Sequence, residues 1–167
     1  IEFFTTDYGS DLVFNIDPLY PITVQGEILI SGGIGFGSIQ LNHGIINAEG
    51  NITVTNRNVN NSSGGTAILN IIGMGDQVLY GANYAPWNGF LPQNVHVNKP
   101  GGTLFLKGFV TLSGNFIIDP SNAGIIDGNT FQPTMSFYVK AIVGGTGFAT
   151  ISGSFEVHNL VFYTGGN

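Results

Sequence analysis

Apolar side chains in this chain recur at every second residue and almost nowhere at every third or fourth. That single pattern restricts the fold more than any other feature, because a period of two belongs to extended strands and a period near 3.6 to helices. Between residues 22 and 30, Ile22, Val24, Gly26, Ile28 and Ile30 alternate with Thr23, Gln25, Glu27 and Leu29. Residues 51–56 repeat the pattern, as do residues 103–118, 134–143 and 150–163. Met135, Phe137, Val139, Ala141 and Val143 form one face of the fourth run. No long window keeps a helical period without a glycine or a β-branched run. Residues 66–80 are less regular, and 67–72 read either as a buried strand or as one helical turn stopped by Gly73.

Eight to eleven strands at this spacing, punctuated by Gly-Gly pairs, predict an all-β domain. We expect an antiparallel β-sandwich of jelly-roll type, with a closed β-barrel as the alternative. Residues 1–16 form an N-terminal arm or first strand, and 17–167 a single β domain. A long Pro/Asn/aromatic loop is expected at about 81–101, with a short edge strand over 94–98.

Only 8% of the 167 residues are charged, where about 25% is usual for a soluble domain. Polarity comes instead from Asn, Thr, Ser and 26 glycines, a surface that suits a protein living in contact with neighbours or coated in sugar. The net charge is −6, and Arg57, Lys99, Lys107 and Lys140 are the only fixed cations. Four scattered cations cannot track a phosphate backbone, so nucleic acid is excluded as a partner. No run approaches the roughly 18 apolar residues of a membrane span.

The chain has no cysteine, hence no disulfide and no thiolate metal site. Scarce lysine and sequons beginning at Asn51, Asn60 and Asn61 point to an extracellular, cell-surface or virion-surface protein, with those asparagines as candidate glycosylation sites. The opening residue, Ile1 rather than Met, fits a processed N-terminus.

No catalytic site emerges. Asp119, Asp127 and Asn129 supply oxygen ligands at a density that suits calcium, the only cofactor the sequence suggests, and the same residues are ordinary turn formers. Asp7, Asp11 and Asp17 read as solvent-facing. His43, His96 and His158 lack zinc spacing, and no Gly-x-Ser-x-Gly elbow accompanies them. Tyr80, Tyr84, Trp87 and Phe90, in or beside the long loop, make either a sugar platform or a plug that pins the loop.

Residues 135–153, a strand followed by Gly144-Gly145-Thr146-Gly147, then Phe148 and Gly153, resemble the late hairpin of allene oxide cyclase and dirigent-type barrels. The resemblance implies a barrel and carries no catalytic residue across.

Two functional expectations follow. The first is an extracellular structural subunit that assembles with copies of itself through β-strand contacts. Its arm, with Phe3, Phe4, Leu12, Val13 and Phe14, would act as a donor strand for a neighbour's sheet. The second is a secreted carbohydrate- or ligand-binding β module using the Trp87 loop, with a cyclase-like barrel third.

Overall fold

A computed structural model describes residues 1–5, 12–32, 39–55, 64–81, 90–112, 115–119, 121–128, 130–131, 134–137, 140–144, 156–157 and 160–163. The strands in chain order are β1 (Glu2–Thr5), β2 (Leu12–Asn15), β3 (Ile22–Val24), β4 (Ile28–Gly32), β5 (Ile39–Asn42) and β6 (Ile45–Ala48). Then come β7 (Ile52–Val54), β8 (Ile68–Ile71), β9 (Gln77–Gly81), β10 (Phe90–Leu91), β11 (Asn94–Val97) and β12 (Thr103–Leu112). The last are β13 (Asn115–Ile118), β14 (Ile125–Asp127), β15 (Thr134–Phe137), β16 (Lys140–Gly144), β17 (Glu156–Val157) and β18 (Leu160–Tyr163).

Every strand pairing among the described residues is parallel. A nine-stranded sheet runs β1-β4-β7-β9-β12-β15-β17, with β10 and β14 also on β12. A seven-stranded sheet runs β3-β6-β8-β11-β13-β16-β18, and β2 pairs with β5 in a third. Most strands consecutive in sequence lie in different sheets, β9/β10 and β14/β15 being the exceptions, and each coil lays its strands on those of the coil before. The protein is a β-solenoid.

This overturns the expected antiparallel sandwich or jelly roll, and the barrel alternative with it. It also removes the cyclase or dirigent-type barrel that residues 135–153 resemble; 145–153 themselves lie outside the described residues. The reason is physical. Alternation says which side chains share a face and nothing about which strand lies alongside. The continuous run at 22–30 is two strands, β3 and β4, that belong to different sheets and meet at a corner at residues 25–27. The runs at 103–118, 134–143 and 150–163 are divided in the same way. Residues 68–71 are strand rather than helix, and the expected edge strand at 94–98 is β11, which sits between β8 and β13.

Inward side chains stack in rows from coil to coil. One row is Ile28, Ile52, Leu79 and Leu106; another is Val24, Ala48, Ile71, Val97 and Ile118. All are buried. Each fully buried Ile or Leu contributes about 1.5–3 kcal/mol from the area it removes from water. Corners stack as tightly. A Cβ on Gly50 would lie 2.3 Å from the Gly26 carbonyl oxygen, so only glycine fits there. Gly102, at φ +68°, meets Gly75 at 2.6 Å in the same manner.

Candidate functional site

Because inward positions are filled with hydrocarbon, any chemistry must come from corners and outward rows. One corner contains the chain's most unusual group. Lys99 is fully buried, and its Nζ donates to the Gly73 carbonyl (2.6 Å), the Gly75 carbonyl (2.8 Å) and Gln77 Oε1 (2.6 Å). The three donors of an ammonium are thereby matched by three acceptors. Gln77 Nε2 in turn donates to the carbonyls of Ala48 and Gly50. Asn122 accepts from the Lys99 backbone N–H and donates to the Gly124 carbonyl. Burial pushes the Lys99 pKa down, and Asp76 opposes the shift. With every donor occupied, this lysine is a rivet between coils rather than a nucleophile.

A second cluster lies on the outward face of the seven-stranded sheet. Asn70 Nδ2 donates to Asn47 Oδ1 at 3.0 Å and Asn47 Nδ2 to Thr23 Oγ1 at 3.3 Å. His96 continues the row beside Asn70. Burial lowers the His96 pKa, and Asp119 partly restores it. The hydroxyl and backbone N–H of Ser121 hold the Asp119 carboxyl below the usual carboxylate range. Ser, His and Asp are therefore close, but in an order that does not support acyl transfer. The Ser121 hydroxyl bonds the carboxylate and lies 3.0 Å from Asn98 Oδ1, so it has no base to activate it.

The third cluster is aromatic, on the outward face of the nine-stranded sheet. Tyr80 and Lys107 are register partners across β9 and β12. Phe105 is the partner of both Val78 and Asp127. Phe131 returns over this surface with its ring 5.9 Å from that of Phe105, edge to face at 79°. Lys107 Nζ stands 4.9 Å from the Phe131 centroid and 5.8 Å from that of Tyr80. Asp127 accepts from the Thr130 N–H and hydroxyl, which fixes the turn that delivers Phe131.

Of the residues singled out in the sequence, Tyr80 joins this third cluster and Phe90 opens β10. Tyr84 and Trp87 lie outside the described residues. Asn51 is exposed, its Oδ1 accepting from the Val78 N–H; Asn60 and Asn61 lie outside the described residues. Asp119 and Asp127 are each bonded within their own turn, and Asn129 is outside the described residues. No group of three or more His, Cys, Asp or Glu that could hold a metal exists among the described residues. Asp17 builds an Asx turn by accepting from the Leu19 N–H, whereas Asp7 and Asp11 lie outside the described residues. His43 takes φ 61° in the turn after β5, and His158 is outside the described residues.

The arm strands pair with their own chain, β1 on β4 and β2 on β5. Phe3 is buried with its ring 4.9 Å from that of the half-buried Phe14. Leu12 packs on the core, while Phe4 and Val13 face outward. Sequence reasoning missed Lys99, Phe105, Lys107 and Phe131, because each gains its meaning from partners on another coil 22–27 residues away. No helix among the described residues is long and apolar enough to cross a membrane, which says nothing of strands.

No protein-family description, curated protein or solved structure matches this chain.

Proposed function

We propose that the protein is an extracellular structural subunit that associates with copies of itself through the outer surface of its first coil. One observation carries this reading. Among the described residues eight large hydrophobic side chains are exposed, and five of them (Ile1, Phe4, Val13, Leu19 and Tyr20) fall within the first coil. Leu19 and Tyr20 are 79% and 72% exposed on a tight turn that Asp17 closes through its side chain and carbonyl. Exposed hydrophobes concentrated on one coil of an otherwise weakly charged chain mark a contact site. Edges add to this, since among the described residues β1 and β3 stand last in their sheets and each has a strand neighbour on one side only. Donor-strand exchange takes a defined form in this fold: β1 and β2 would lie on a neighbour's β4 and β5 instead of their own.

The test is native mass by light scattering, with electron microscopy of the same material. Higher-order particles are expected from the native chain, and L19S/Y20S should reduce them to monomer while leaving the far-ultraviolet spectrum unchanged. A native chain that stays at 17.6 kDa at high concentration would overturn the proposal.

A carbohydrate-binding reading is favoured by a different observation, the aromatic cluster on the nine-stranded sheet.

A further inference from the structure

The outward face around Phe105 has three properties that a structural sheet face does not need. Its rings are held in place before any ligand arrives. Phe131 stands edge-on to Phe105, and the Lys107 ammonium lies over Phe131 and near Tyr80, so neither ring swings freely. Fixing the platform in advance lowers the ordering cost of binding. Second, the platform remains open, because Phe131 is 43% exposed and Lys107 is exposed, while Tyr80 and Phe105 are half-buried. Third, groups of opposite hydrogen-bonding character border the rings. Lys107 is a pure donor and the Asp127 carboxylate a pure acceptor, with the Thr130 hydroxyl and exposed Asn51 nearby in the neighbouring rows.

We propose that Tyr80, Phe105 and Phe131 form a binding platform for a neutral saccharide chain, with Lys107 and Asp127 bonding its hydroxyls. The C–H faces of a pyranose pack on aromatic rings, and its hydroxyls require a donor and an acceptor at the rim of those rings. Charge complementarity selects a neutral chain over an acidic one. The protein carries −6, Asp127 flanks the platform, and Lys107 is the only cation in the cluster. A cation-rich groove, which a polyanion needs, is absent among the described residues. This inference does not rest on self-assembly, and it moves the sugar-binding surface from the Trp87 loop to the solenoid face.

Affinity electrophoresis of the full chain tests it, in gels containing amylose, a soluble β-glucan, xylan or galactomannan, with polygalacturonate and plain gels beside them. At least one neutral polysaccharide should retard the protein. F131A should weaken that retardation about tenfold, the loss of one ring contact. Because Phe131 is partly exposed, this variant should retain the native melting temperature; K107M supplies an independent second variant and should also weaken binding. Running L19S/Y20S in parallel separates the two proposals, since it should bind saccharide as a monomer. Three results would overturn the platform: no retardation by any neutral polysaccharide, retardation by polygalacturonate alone, or neutral binding abolished by W87A but untouched by F131A.

Discussion

At the scale of single residues, Lys99 and His96 show how a buried or half-buried titratable group becomes structural. Lys99 replaces its water shell with two carbonyls and a carboxamide oxygen, all from residues 73–77. K99M keeps an unbranched apolar stem, drops the ammonium and leaves those acceptors without a donor. Charged hydrogen bonds are worth about 1.5–3 kcal/mol each, and stranding buried partners adds to the loss. We expect a loss of about 3 kcal/mol or more, read as a melting temperature lower by about 6–12 °C for a chain of this size. An unchanged melting curve would show that the rivet is idle. His96 makes a prediction in pH. Its folded pKa lies below its ordinary value of 6.5, so between those two values the unfolded chain binds more protons than the folded one. Stability is therefore full above about pH 6.5 and is lost as pH falls toward the lowered value. H96N, which places another amide beside Asn70, should remove that step from a denaturation series between pH 7 and pH 5. If the series keeps its slope in the variant, another group is responsible.

At the scale of elements, the decisive positions are corners. A strand of three to five residues cannot hold its register alone, and the corner sets where the next begins. Gly50 illustrates this, because a Cβ there would run into the Gly26 carbonyl of the preceding coil. G50V should force that corner apart and cost more than I52A two residues later, although Ile52 is a buried core side chain. Cavity formation at Ile52 is worth about 2–5 kcal/mol. The comparison is made by urea denaturation of both variants, and a smaller loss for G50V would mean that the corner yields easily. Legibility differed in the same way. The strands were visible in the alternation at 22–30, but its division into β3 and β4 was not. Gly26 fits one face of a continuous strand and a corner equally well.

At the scale of the whole molecule, stability is expected to be built coil on coil, with each coil supported by its neighbours. The first coil is then both a stabilising cap on β4 and β5 and the proposed contact surface. Removing residues 1–16 takes away β1, β2 and the buried Phe3 and Ile16, and uncovers the edges of β4 and β5. The truncated chain should remain partly folded or become prone to aggregation, and should fail to form ordered particles. Particles of native appearance from that truncation, seen by electron microscopy, would exclude the arm as the joining element.

By itself the sequence determined that the chain is all-β and which side chains of its clearest runs share a face. Period-two alternation requires strands. The burial of Ile28 and Val54 follows from their parity in the alternating runs at 22–30 and 51–56. Only the tertiary structure decided which strands are neighbours. The step from one strand to its partner varies between 19 residues (Ala141 to Leu160) and 27 (Glu2 to Leu29), so no fixed period announces the coils. It also decided the candidate sites. Lys99 meets Gly73, and Phe131 meets Phe105, because coils stack at strand separation, a contact that exists only once the chain has come full circle.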